Sequence, residues 1–237
     1  MNALLEQAIQ REDTWLGGFN VGELNVSTYR RCQSTGYAPL DAVLTGGGWP
    51  LGNTIELLSD GHGLGAMGVF LPIMHRLSSR GQWQAFINPP CAPYAPLLEA
   101  RDIPTEQVLL VHTDSKEDIL WSIEQAITHN TCATVFAWLG HHRYSYAELR
   151  KLQLAATEHD NLIVLFRPLS AADEHAPACL RLKVSAYREF EIIKQRGGKQ
   201  QIQVNLPASD DLPNQPQLWE LPVSTTQQAT IQTVAYP

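Results

Sequence analysis

Two short apolar runs constrain this chain more than any other feature. Cys132–Leu139 (CATVFAWL) and Asn161–Phe166 (NLIVLF) carry almost no polar alternation. A strand of that kind has to be covered on both faces, which is the situation of an inner strand in a parallel sheet. Between them, 144–160 reads as a helix, completing a strand–helix–strand unit. The same alternation runs upstream. Gln82–Asn88 (QWQAFIN) and Gln107–His112 (QVLLVH) read as strands, and 93–100 as a short helix. Ser115–Asn130 is a helix with Ile119, Leu120, Ile123, Ala126 and Ile127 at three-to-four spacing. Its opening, SKED, resembles a capping box with Asp118 three residues after Ser115. This order predicts an α/β fold with a mostly parallel sheet flanked by helices.

The first strand of the series, around Ile55, Leu57 and Leu58, leads into a loop containing Ser59, Gly61, Gly63 and Gly65. An apolar helix-like run, VFLPIMHRL, follows. Strand, glycine-rich loop and helix is the build of a phosphate-binding loop, whose amides converge on an anion at the helix N-terminus. The working version also needs a Lys on the phosphates and a Ser or Thr hydroxyl on Mg²⁺. Here the corresponding places hold Gly65, Ala66 and Met67. Asp60 adds a negative charge that opposes an anion.

Ahead of that strand, 3–13 reads as a short amphipathic helix and 14–34 as an arm containing Trp15. Thr35–Gly52 holds a helical turn followed by Gly46–Gly48 and a rigid Trp49-Pro50 turn. Beyond Arg167-Pro168, Leu180–Tyr187 and Glu189–Lys194 read as strands. Residues 196–199 form a turn, and Gln200–Leu206 returns, giving a C-terminal antiparallel β-hairpin. From Pro207 the chain is rich in Pro, Gln and Thr and reads as a disordered tail. The expected organisation is therefore 1–34 as helix and arm, 35–206 as core and 207–237 as tail.

With 237 residues, 44% hydrophobic, the chain can bury one sizeable core. A net charge of −7 excludes a uniformly basic nucleic-acid coat, though not a local patch. Cys32, Cys91, Cys132 and Cys179 lie far apart with no C-x-x-C, as expected of reduced thiols in the cytoplasm. No apolar run reaches bilayer length and the N-terminus lacks a signal pattern, so a cytoplasmic protein with no membrane contact is expected.

Several stretches together resemble the RecA-type recombinase core: TGYAPLDAVLTGGGWPLG followed by IELL, then AFINPPCAPYAPLLEARDIPTEQVLLVHTDSKEDILWSIEQAI in the same order and spacing. GGGWPLG, PYAPLL, AWL, LRKLQLAA, LFRP, RGG and the Trp15 arm are similar to the ImuA family, a RecA-like group without ATPase residues that is related to the division inhibitor SulA. That resemblance implies a RecA-like core and no enzymatic activity, cofactor or metal. It implies work in the SOS response to DNA damage, supporting error-prone translesion synthesis. The implied partners are an ImuB-like Y-family protein, an error-prone polymerase or RecA. Two alternatives remain open: SulA-like inhibition of cell division through FtsZ, and a diverged nucleotide-binding ATPase.

The resemblance also locates where ATP chemistry would sit. A water-activating Glu would follow AFIN, where Pro89-Pro90 stand. A Walker B Asp would end TVFA, where Trp138 follows. A phosphate-sensing Gln would follow the next strand, where Arg167-Pro168 stand. Phosphoryl transfer is almost entirely positioning and electrostatics, so losing all of these leaves little catalysis.

Other candidates are contacts. Arg181, Lys183, Arg188, Lys194, Arg196 and Lys199 make the one basic stretch, suited to a DNA backbone, an acidic partner or a solvated hairpin. The short acidic 170–178 loop argues against recombinase-like DNA binding. Trp15 and Trp49 are candidate partner anchors. Gln217–Leu221 loosely resembles sliding-clamp peptides. His141-His142-Arg143 and His112-Thr113-Asp114 follow strand ends but lack companions at metal or nucleophile spacing.

Overall fold

The computed structural model describes residues 31–60, 66–79 and 81–207. The expected N-terminal helix, the Trp15 arm, Gly61, Gly63, Gly65 and the tail with its clamp-like peptide all lie outside the described residues.

A two-residue ribbon opens the described chain. Strands β1 (Cys32–Gln33) and β2 (Trp49–Pro50) pair antiparallel. Gly48 is required there, because a Cβ on it would stand 2.1 Å from the Gln33 carbonyl oxygen. The main sheet contains β3 (Asn53–Leu58), β4 (Trp83–Ile87), β5 (Val108–Val111), β6 (Cys132–Trp138) and β7 (Leu162–Arg167). It continues through β8 (Leu180–Ala186), β9 (Glu189–Gln195) and β10 (Ile202–Asn205). The order is β10-β9-β8-β3-β7-β6-β4-β5. All pairs from β8 to β5 are parallel, while β9 runs antiparallel to both β8 and β10. This is a mixed α/β fold with a mostly parallel sheet, and it fits the RecA-like core that the resemblance implies.

The two apolar runs occupy the middle. Every residue of β7 is buried, and all of β6 except Trp138. The register places Ile55, Val164, Phe136 and Phe86 on one face and Leu165, Ala137 and Ile87 on the other. The first face packs against α1 (Ala38–Asp41), α2 (Leu71–Ser78) and α3 (Ala95–Glu99), through Leu40, Ile73, Met74, Leu77 and Leu98. The second packs against α4 (Lys116–Thr128) and α5 (Tyr146–Ala156), through Ile119, Ile123, Ile127, Leu149, Leu152 and Ala156. Each such side chain contributes about 1.5–3 kcal/mol of transfer free energy, so the covering of both faces dominates the stability of the sheet.

Serine caps set the starts of the two longer helices. Ser115 Oγ accepts from the Asp118 amide at 3.1 Å. At α5 the cap is Ser145. Its Oγ accepts from the Glu148 amide at 3.3 Å, and Glu148 Oε2 accepts from the Ser145 amide at 2.7 Å. That reciprocal pair starts α5 two residues later than the expected 144–160. Tyr144 sits outside the helix, its buried ring held by a hydroxyl that donates to the Leu139 carbonyl at 3.0 Å.

The C-terminal part contains two turns. Besides the expected turn after Gln195, β8 and β9 are joined at Tyr187-Arg188, where Arg188 adopts φ 62°.

Candidate functional site

The region to examine lies where β3, β7 and β6 end, because open α/β sheets bind ligands at the carboxyl ends of their strands. Ser59 leaves β3 with its amide donating to the Arg167 carbonyl at 3.0 Å. The Asp60 carboxylate accepts from the Leu169 amide at 2.7 Å. Beyond the loop, Ala66 and Met67 are half-buried against the larger core. The chain then makes a 3-10 turn, Gly68–Phe70, before α2 begins at Leu71 with Pro72 in its first turn. The residues at the Lys and hydroxyl places are thus packing residues. The first turn of α2 also lacks the amide that Pro72 cannot supply.

A buried ion cluster joins β3, β7 and β8. Glu56, in the middle of β3, has no exposed surface. Arg181 on β8 is its register neighbour and donates from Nε to Oε2 at 2.8 Å. Arg167, at the end of β7, approaches Oε1 at 3.3 Å and pairs through its other nitrogen with Glu174 at 2.5 Å. Arg181 also donates to the carbonyls of Ala171, Ala172 and Glu174. Together with Asp60 these bonds strap 169–174 over the sheet. Desolvating an ion pair is costly unless further hydrogen bonds satisfy its remaining polar atoms, and the strap supplies them. Arg167, where the resemblance places a phosphate sensor, is therefore committed to an internal carboxylate.

Trp138, at the Walker B place, stacks on Phe166 with centroids 4.2 Å apart and planes 3° apart. Its other stacking neighbour is Phe86, at 6.3 Å and 15°. The position before Pro89-Pro90 is held by Asn88, which adopts φ 50° and bonds reciprocally with Thr113 beyond β5.

The basic stretch does not form one cationic face. Arg181 is buried in the ion cluster and cannot reach a DNA backbone. Lys183 lies 3.4 Å from Glu191 across the β8–β9 pair. Lys194 donates to the Ala176 carbonyl at 2.6 Å, and its pKa is lowered by desolvation and by the charge of Arg181. Arg188 donates to the Pro207 carbonyl and lies over the Tyr187 ring. Arg196 and Lys199 are exposed, at the β9–β10 turn. The strand register that sequence cannot supply scatters these charges.

Trp49 is not a partner anchor. It has no exposed surface and packs on Phe70 at 4.7 Å inside the larger core. Sequence reasoning missed Trp121, 62% exposed on α4, and Tyr94, 70% exposed ahead of α3. It also missed Glu56, although a carboxylate inside IELL signals a buried charge that needs a partner. Among the described residues no group of three or more His, Cys, Asp or Glu is placed to hold a metal, and no helix is long and apolar enough to cross a membrane. A polar cleft of 230 Å³, lined by Arg31, Gln82, Asn130, His159 and Asp160, opens at the opposite, N-terminal ends of the strands.

The fold and its strand ends thus define a mixed α/β protein in which Trp138, Arg167 and Arg181 are engaged with side chains of their own chain. No family model matches the chain, and no curated protein matches it. Among solved structures it is similar to the crystal structure of SulA from Pseudomonas aeruginosa, with 23% identity and a TM-score of 0.38. That likeness covers 48% of this chain and 97% of the other.

Proposed function

We propose that this protein is a non-catalytic adaptor of the bacterial DNA-damage response that supports error-prone translesion synthesis through protein contacts. The observation that carries the reading is the occupation of the former chemistry by structure. Trp138 is stacked on Phe166 where a metal carboxylate would stand, and Arg167 is paired with Glu56 where a sensor would stand. An electrostatic catalyst cannot work when its charges are neutralised internally. The motif resemblance to the ImuA family supplies the partners: an ImuB-like Y-family protein, an error-prone polymerase or RecA. Trp121 and Tyr94 are exposed aromatic residues of the kind that anchor such contacts.

The test is a pull-down with the tagged full chain from DNA-damaged bacterial cells, beside calorimetry with ATP and Mg²⁺. Recovery of the Y-family protein or polymerase, weakened by Trp121→Ala, with no ATP heat, is the expected result. ATP binding with phosphate release would overturn the non-catalytic reading. Filamentation of undamaged cells on overexpression, with FtsZ recovered instead, would replace it by division inhibition.

A further inference from the structure

Of the five lysines in the chain, three are ion-paired: Lys116 with Glu148 at 2.8 Å, Lys151 with Glu124 at 2.7 Å and Lys183 with Glu191 at 3.4 Å. Lys199 stands exposed in the β9–β10 turn. Lys194, in β9, is placed differently. The β8–β9 register sets it directly opposite Arg181, and like charges directly opposite each other repel. The carboxylates of the buried cluster are already engaged, Glu56 by Arg181 and Arg167, and Glu174 by Arg167. Lys194 is left with a neutral acceptor, the Ala176 carbonyl, at 2.6 Å. Its side chain is half-buried, so one side of it stays open to solvent. With Lys194 counted, the cluster holds more cations than carboxylates.

Two consequences follow for the Lys194 amine. Desolvation, then the charge of Arg181, holds its ammonium below the usual lysine value; Arg196 acts the same way, and Glu56 and Cys179 act against them. More of the amine is therefore neutral near neutral pH than at an ordinary lysine, and the neutral amine is the nucleophile. The excess of positive charge also attracts an anionic reactant. We propose that Lys194 is a modification site, acylated by small anionic donors of the acyl phosphate class. The amine attacks the acyl carbon and an N–C bond forms. The C–O bond to the phosphate breaks, inorganic phosphate leaves with the electron pair, and the amine proton passes to solvent. The product is a neutral amide. It removes the cation opposite Arg181 and replaces the charged donor that the Ala176 carbonyl holds. Modification thereby loosens 174–179, the segment that leads from the strap into β8.

Treating the folded full chain with acetyl phosphate near neutral pH, and following each lysine by mass spectrometry, tests the inference. Lys194 is expected to be acetylated several-fold faster than the exposed Lys199, and the preference disappears in urea. Arg196→Gln, a change at an exposed position, slows acetylation of Lys194 without slowing that of Lys151, and added salt narrows the preference. Amide exchange at 174–179 rises on acetylation and in Lys194→Gln, whereas Lys194→Arg, which keeps the charge, exchanges like the parent chain. Lys199 or Lys151 labelled ahead of Lys194 in the folded chain overturns the proposal, as does a Lys194 rate that Arg196→Gln leaves unchanged. Unchanged exchange after acetylation overturns the loosening of 174–179.

Discussion

Arg181 Nε donates to Glu56 Oε2 at 2.8 Å, joining adjacent parallel strands in a place where both side chains are buried. Glu56 holds Arg167 as well, and Arg181 goes on to hold the carbonyls of 171–174. The cluster ties β3, β7, β8 and the strap into one unit.

Glu56→Gln leaves the buried Arg181 guanidinium without a carboxylate and Arg167 with Glu174 alone. Removing one member of a buried ion pair costs about 3–5 kcal/mol, and urea denaturation of the variant should show a loss of that size. Arg181→Met should also raise amide exchange across 169–174, since three carbonyls there lose their donor. Unchanged exchange in the strap would refute its dependence on Arg181.

Trp138→Asp restores the acidic residue type of an ATPase without restoring the chemistry. The carboxylate would replace a ring stacked on Phe166 and Phe86. A destabilisation of about 2–4 kcal/mol is expected, from lost aromatic packing and carboxylate desolvation. Thermal denaturation measures it, and phosphate release from ATP should stay at background.

Burial pushes the Cys179 thiol up to about 12. The sign of the stability effect follows. Below about pH 8.5, the usual thiol value, the group is protonated whether folded or not. Above it the unfolded chain ionises while the folded chain does not, so stability falls as pH rises toward 12. Urea midpoints at pH 7 and pH 10 should therefore differ less in Cys179→Ala than in the parent chain.

Glu148 behaves oppositely in acid. A hydrogen bond from Lys116, then one from the Ser145 amide, holds its carboxyl below the usual value. Its contribution is complete above about pH 4.3 and disappears as pH falls through the folded value. The group is partly exposed, so the effect stays within about 1 kcal/mol. Glu148→Gln keeps the cap geometry and should flatten this acid limb in chemical denaturation.

The alternation of strands and helices could be read directly from the chain. The runs CATVFAWL and NLIVLF have no polar residue to turn toward water, so they could only become the inner strands β6 and β7. Which residues stand at the motif places, Ala66, Met67, Trp138 and Arg167, was legible too, because it concerns residue type at a place in a pattern. Local signals also announced α4, whose Ser115 cap is a contact three residues long. What lay beyond reach depended on which strands become neighbours. Arg181 read as a surface cation until β8 was placed beside β3, 125 residues away in sequence from its partner Glu56. Trp49 read as a surface anchor until α2 closed over it with Phe70. Conversely, QVLLVH read as one more strand, and only its place at the end of the sheet exposes Leu109 and Leu110. Periodicity and residue type are local, so the sequence by itself determined the elements and the residues at the motif places. Burial of a charge or exposure of an apolar edge is set by neighbours distant in the chain, and tertiary structure alone decided it.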